Sequence, residues 1–571
     1  MSTLSFHRKI SGNWHLFPGL FFCLSFVVRA GFADGNYFLP TLFDDAMISM
    51  TYAKTFVNTG ELVWFPGADR VQGFSNPGWT LIFILLQYIE KLSFSSILQA
   101  QLLGIIILLF LAKNIEAMVM MVNPHANRLH SRLVSGSIMF LYPLVFWTLR
   151  GMEVGVLALI LTSIIHISWK SSLPQYSSSS QRYMSLVAIL SAFGVLIRID
   201  FVVLIFALVF SRIFRLRRIS PLDKCLIYSS LLSVLLVLLL QWQYYGSFLP
   251  NTYYLKLEGT NLGQRIYRGT LNIVKHFNIF LPLISFTYLS VRKSLKDQKL
   301  LDLQFCVLGA FLYSIWVGGD AWEWSGMTNR YISTVLPLVC CLVGSLDFQT
   351  LLQRFSAMRR MIKIILSLGV LGSFIGLYTN PVRFEYIRAL LYLVLFLFLA
   401  LLSLYLIRRI QVIANRQLIS SLFILILCVN LSGSYYLIRD GGIHVTDDRH
   451  IAITSKYIAR EMSGKTSTAL FWAGTPGYYL PGRLLDFLGK NDAGIARLDP
   501  NGDFWPGHDK HDFKRYVCTW VPDYIFSVSG DLGIPDTLVS LNYSKMTTPY
   551  FIVWKREYMK ISQTKSLIPC T

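Results

Sequence analysis

Two adjacent carboxylates, Asp44 and Asp45, lie about a dozen residues beyond the first apolar run long enough to cross a bilayer. They open a polar stretch that closes at Phe74-Ser75-Asn76-Pro77-Gly78-Trp79, where apolar sequence resumes. Carboxylates beside lipid are costly to hold and contribute nothing to insertion, so this pair points to chemistry at a membrane surface. The segment from Ala46 to Tyr52 has the pattern of a helix lying at the interface, which would aim both acids inward.

Further polar groups stand out against apolar surroundings: Arg150 with Glu153, Arg198 with Asp200, and Asp320 with Asn329-Arg330-Tyr331. A run from Tyr244 to Lys256 adds Asn251 and Tyr253. Each has a plainer reading. Arg198 and Asp200 would pair with each other, Arg150 and Glu153 would cap an interfacial helix, and the aromatic residues would form a belt at the headgroup level.

The elements that must position these groups follow from hydropathy. The 571 residues are 54% hydrophobic, with a mean hydropathy of +0.51, which excludes an ordinary soluble protein. The net charge of +21 comes largely from clusters such as Arg212-Arg215-Arg217-Arg218 and Arg292-Lys293-Lys296 in short loops. That is the positive-inside pattern of cytoplasmic loops, not a nucleic-acid surface. Spans are expected near 15–33, 98–121, 133–149, 152–169, 224–245, 269–291, 301–317, 331–347, 361–379, 385–408 and 418–437. The segment 79–95 reads as a short interfacial or re-entrant helix, and 184–214 as a hairpin of two half-helices with Arg198 and Asp200 at its outer tip. The expectation is a polytopic α-helical membrane domain of about 11–13 helices over residues 1–437, its first outer loop being 34–78. Beyond it, 438–571 reads as an extracytoplasmic α/β domain of about 130 residues, enough for its own core. With this topology the mixed-sign clusters gather on the outer face. Six of the eight cysteines fall in apolar segments; Cys518 and Cys570 fall in the terminal domain, where spacing alone does not pair them.

The motifs resemble, in order along nearly the whole chain, those of GT-C membrane glycosyltransferases, in particular the actinobacterial terminal arabinofuranosyltransferases. The resemblance rests on Asp44-Asp45 through Lys54, Pro66-Gly67, Val71 through Trp79, Trp147 through Glu153, and Arg198-Ile199-Asp200. It continues through Tyr245-Gly246, Pro250 through Lys256 and Gly318-Gly319-Asp320. In the terminal domain it rests on Gly474-Thr475-Pro476-Gly477-Tyr478-Tyr479, Asp486 through Asp492, Pro506-Gly507-His508-Asp509-Lys510 and Pro522-Asp523-Tyr524. Ile199 stands where relatives have Pro, and Lys490 interrupts their apolar run.

The resemblance implies transfer of a sugar from a polyprenyl-monophosphate donor to a hydroxyl of a cell-envelope glycan or glycolipid, outside a bacterial inner membrane. A carboxylate must then take the acceptor proton, and cations must balance the departing phosphate. Asp44 is assigned as base, with Asp45 orienting the acceptor or serving as the alternate base, and Lys256 and Arg330 as donor-phosphate ligands. Glu153, Arg198, Asp200, Asn251, Tyr253 and Asp320 are expected to line the cavity. Tyr478, Tyr479, His508 and Lys510 are expected on the acceptor side. A monophosphate donor lacks the diphosphate that most needs a divalent metal, so no cofactor is expected. Displacement in one step would invert the anomeric centre. Two other readings are a lipid transporter or flippase, which would favour repeated halves and charges near span centres, and a non-catalytic glycan-binding membrane protein.

Overall fold

A computed structural model describes residues 13–32, 37–124, 128–174, 180–275, 297–323, 328–345, 445–502, 504–527 and 532–557. Among these, five helices are long and apolar enough to cross a bilayer: Trp14–Gly31, Ser96–Val122, Val154–Ser171, Pro221–Tyr245 and Gln298–Val317. They match the spans expected near 15–33, 98–121, 152–169, 224–245 and 301–317, as fits a multi-pass membrane protein. The span expected near 133–149 is instead a pair, Arg128–Phe140 and Tyr142–Leu149, bent by 53°. Pro143 in the first turn of the second helix has no N–H to continue the first, so the chain restarts there. The spans expected near 361–379, 385–408 and 418–437, most of that near 269–291, and the 437/438 boundary lie outside the described residues.

Pro77–Glu90 forms a helix of 14 residues, shorter than a full crossing. Ser180–Ile197 and Phe201–Leu216 form the hairpin expected over 184–214, with Arg198 and Asp200 in the turn. The acid pair sits in the first turn of the helix Asp44–Thr59. There the positive end of the helix dipole favours carboxylates. Gly60 closes that helix in a left-handed conformation, φ 80°, which a glycine adopts without steric cost.

The terminal domain is built on a five-stranded mixed sheet. Its strands are β1 Ser467–Leu470, β2 Arg483–Asp486, β3 Tyr524–Phe526, β4 Tyr543–Met546 and β5 Val553–Arg556, in the order β2-β1-β3-β5-β4. β1 runs parallel to β2 and β3, whereas β5 pairs antiparallel with β3 and β4. In such sheets the loops beyond the carboxyl ends of parallel strands are the ones free to build a site. The loops after β1 and β2 here face the acid pair. Cys518 is disulfide-bonded, while Cys570 lies outside the described residues.

One apolar core joins the domain to the first outer loop. Ile48, Tyr52, Trp64 and Phe74 pack with Ile451, Leu470, Ala473, Leu484 and Phe526. Polar ties reinforce it. Arg150 donates to the carbonyls of Thr41 (2.8 Å) and Leu42 (2.9 Å) and pairs with Asp448. Arg449 donates to the carbonyls of Gly31, Leu39 and Tyr37. The segment leading into Asp44 is thus held through its carbonyls by two arginines. Arg150 and Glu153 do stand at helix ends, Arg150 after Tyr142–Leu149 and Glu153 before Val154–Ser171, but their side chains reach other partners instead of capping.

Candidate active site

Asp44 is buried and accepts two backbone N–H groups from the loop after β1, Gly474 at 3.3 Å and Thr475 at 2.8 Å. The approach demands glycine: a Cβ at Gly474 would stand 1.9 Å from the Asp44 carbonyl oxygen. Burial raises the Asp44 pKa above the usual carboxylate range, against the pull of Lys490 and the two N–H bonds.

Asp45 meets cations instead. Lys490 Nζ, from the loop after β2, lies 2.7 Å from Oδ1, and Arg330 Nη2 lies 3.1 Å from Oδ2. Burial alone would raise this carboxyl, but Lys490, Arg330 and Lys256 together outweigh it and hold Asp45 below the usual range. The two neighbours are thus driven apart: a carboxylate fit to take a proton beside one fit to stay charged.

Arg330 is further gripped by Asp320, at 2.6 Å from Nε and 3.0 Å from Nη2. The turn carrying Asp320 is itself fixed by Arg268, which donates to the Gly318 and Asp320 carbonyls. Lys256 differs from both other cations. Among the described residues it makes no ion pair or hydrogen bond, although Asp45, Asp320, Arg330 and Lys490 all act on it electrostatically. Burial, then Arg330, lowers its pKa, and the two carboxylates offset part of that. Lys490, Arg330 and Lys256 thus gather around Asp45 and Asp320, and of the three only Lys256 is left without an ion pair among the described residues.

A second network lies beside Arg330. Arg198 donates to Glu153 at 2.5 Å and to Asp200 at 2.9 and 2.6 Å, and Tyr313 donates to Asp200 at 3.1 Å. Glu153 also accepts from Asn76 at 2.8 Å, whose Oδ1 accepts from Ser49 on the Asp44 helix. Glu153, Arg198, Asp200, Tyr313, Arg330 and Tyr331 line the polar side of a small cavity of about 30 Å³. Arg330 belongs to both networks.

The other expected residues divide. Asn251 supports the site from behind, donating to the carbonyls of Gly489, Lys490 and Asp492 at 2.8 to 3.1 Å, and so holds the Lys490 loop. His508 faces Lys490, Asp45 and Lys256. Tyr253 is exposed and packs edge-on against Tyr254, apart from the cluster. Tyr478 is buried against Gln87 and Glu90, and Tyr479 packs edge-on against it with Lys456 near its ring. Lys510 is buried and donates to the carbonyls of Tyr254 and Ala496, so it ties segments together. These last four make packing and anchoring contacts among the described residues.

Lys490 was not among the expected site residues. Its signal was present, as the charged residue that interrupts an apolar run beside Asp486 and Asn491. Among the described residues no three His, Cys, Asp or Glu side chains gather as a metal site.

No family model matches the sequence, and no curated protein is similar to it in sequence. Solved structures do match. ArnT from Cupriavidus metallidurans in the apo state aligns with a TM-score of 0.57 at 12% identity, covering 97% of this chain and 98% of that one. The same protein bound to undecaprenyl phosphate aligns with a TM-score of 0.58 at 12% identity, covering 94% and 97%. At this identity the likeness establishes the fold alone, which is the GT-C fold.

Proposed function

We propose that this protein is a membrane glycosyltransferase that moves a sugar from a polyprenyl-monophosphate donor to a hydroxyl of a cell-envelope glycan or glycolipid. The observation that carries the reading is the cluster at the Asp44 helix: a buried Asp44 of raised pKa next to Asp45, which pairs with Lys490 and Arg330 and feels Lys256, a lysine with no ion-pair partner among the described residues. The binding of undecaprenyl phosphate by ArnT, which shares the fold, supports a lipid monophosphate as the donor's leaving part. Arabinofuranose, the sugar implied by the sequence motifs, is the first donor to test.

Asp44 takes the proton of the acceptor hydroxyl as its oxygen attacks the anomeric carbon. The bond from that carbon to the phosphate oxygen breaks, and its electron pair leaves with the polyprenyl phosphate. Lys256 and Arg330 balance the charge that grows on the phosphate. Asp45 holds Arg330 and Lys490 in place and limits their repulsion before the donor arrives. A single displacement inverts the anomeric centre. The terminal domain and the first outer loop face the extracytoplasmic side, where a disulfide at Cys518 is favoured by the oxidising environment.

The experiment is transfer by the purified full-length protein in nanodiscs, given synthetic polyprenyl-phosphoryl arabinofuranose and an arabinan or glycolipid acceptor. Release of polyprenyl phosphate with an inverted product linkage is the expected result. A panel of arabinose, hexose and aminosugar donors that yields no release with any acceptor hydroxyl contradicts the reading.

A further inference from the structure

His508 is buried, and its Nε2 has no hydrogen-bond partner among the described residues. Its Nδ1 lies 3.0 Å from the carbonyl of Pro506, which can only accept, so Nδ1 carries the proton. Nε2 therefore presents a bare lone pair. The ring is not free to turn away from this state. It stacks on Trp505 at 4.8 Å and meets Trp322 edge-on at 5.1 Å. Trp505 is held by a bond to the Ala321 carbonyl, and Trp322 packs on Phe43, the residue before Asp44. Burial, then Lys490, lowers the imidazole pKa to about 3, so the ring is neutral at ordinary pH.

The surroundings of this lone pair are the cluster already described. Lys490, Asp45 and Lys256 all lie within electrostatic reach of the ring. The backbone at Gly507 lies beside Lys256, where a Cβ would meet the lysine Cε in ordinary contact at 3.4 Å. A buried acceptor left unpaired is costly, and a neutral ring with a free acceptor does not attract phosphate oxygens, which carry no hydrogen. It suits a hydroxyl.

We propose that His508 Nε2 accepts a hydrogen bond from a hydroxyl of the donor sugar, beside the phosphate held by Lys256 and Arg330. The sugar is bonded directly to that phosphate, so its hydroxyls fall within the same few ångströms as the Lys256 side chain. This places His508 on the donor side of the site, as a residue that distinguishes the glycosylated lipid from the bare lipid phosphate. It rests on the donor site described under the proposed function.

The test is binding to the full-length protein in nanodiscs, by titration calorimetry, of farnesyl phosphate, farnesyl-phosphoryl arabinofuranose and farnesyl-phosphoryl glucose. Wild type should bind at least one sugar-bearing probe more tightly than farnesyl phosphate. His508→Phe keeps a flat ring without an acceptor and should weaken that probe about tenfold, the scale of one hydrogen bond. Farnesyl phosphate should change less than about twofold, within the same scale. His508→Gln, whose carboxamide oxygen reaches the Nε2 position, should regain most of the loss. Equal losses for sugar-bearing and bare probes in His508→Phe, or no loss, overturn the proposal. So does a wild type that gains nothing from the sugar. A wild type that fails to bind farnesyl phosphate overturns the donor site itself, and this proposal with it.

Discussion

At the scale of single residues, the division of labour between Asp44 and Asp45 turns on what each touches. Asp44 meets two N–H groups and is raised by burial, whereas Asp45 meets Lys490 and Arg330 and is depressed. A base works deprotonated, so activity should fall as pH drops through the raised Asp44 value. Lys490 stabilises the charged form of Asp44, so Lys490→Met should raise that value further. The acid limb of the kcat/KM profile should then move to higher pH, and an unmoved limb would contradict the assignment. Lys256 and Arg330 should also separate. Arg330 is paired with two carboxylates, so Arg330→Met should cost about 3–5 kcal/mol of stability by stranding them. Lys256 has no partner to strand among the described residues, so Lys256→Met should leave the Tm within about 1 °C of wild type, roughly the shift of 1 kcal/mol in a chain of 571 residues. Transfer should nevertheless fall at least about tenfold, the scale of a charge-assisted contact to phosphate. Thermal unfolding beside transfer assays checks both. The charged residues themselves were legible because they interrupt apolar sequence. Their partners were legible only at short range: Arg198 pairs with Asp200 as their spacing suggests, but Arg150 lies three positions from Glu153 yet pairs with Asp448, and Lys490 reaches Asp45 across 445 residues.

At the scale of elements, the site is a helix start addressed by two strand-end loops. The helix Asp44–Thr59 was legible from the run after the acid pair, and the hairpin at Arg198 from basic residues at both of its flanks. The loops after β1 and β2 were not, because short strands leave little periodic signal and their approach depends on tertiary packing. Two glycines make the close approach: Gly474 against Asp44, and Gly73, where a Cβ would stand 1.8 Å from Asn491 Oδ1. Gly474→Ala must push the β1 loop away, so transfer should drop by at least about 100-fold, as expected when reacting groups shift by an ångström. Asn251→Ala removes three bonds to the Lys490 loop without touching the cluster. It should lower transfer less than Lys490→Met does, and partial rescue by Asn251→Gln would mark it as a positioning residue. Transfer by Asn251→Ala equal to wild type would contradict that role.

At the scale of the whole molecule, a membrane helix bundle and a small mixed sheet share one apolar core around Tyr52 and Trp64. The site lies at that junction, with Asp45, Arg330 and Lys256 from one part and Lys490 from the other. Fold class was legible from hydropathy and charge, since span length and basic loops are set by the bilayer itself. The bend at Pro143 and the docking of the terminal domain were not, because they depend on contacts between distant segments. If the terminal domain is extracytoplasmic, Ser463→Cys should react with a membrane-impermeant maleimide in intact cells. Arg218→Cys should react only after permeabilisation. The reverse pattern would place the site on the wrong face for a lipid-linked donor presented outside.

Transfer depends first on where the acceptor proton goes. Transfer from polyprenyl-phosphoryl sugar should be measured for wild type, Asp44→Asn and Asp45→Asn in the same nanodiscs, with farnesyl phosphate binding as the control for folding. Asp44→Asn should lose roughly 10²–10⁴-fold in turnover, the range of a general base, while still binding farnesyl phosphate. Asp45→Asn should show a smaller loss in turnover together with altered affinity for the lipid phosphate, since it frees Arg330 and Lys490. Full turnover by Asp44→Asn would contradict the central claim.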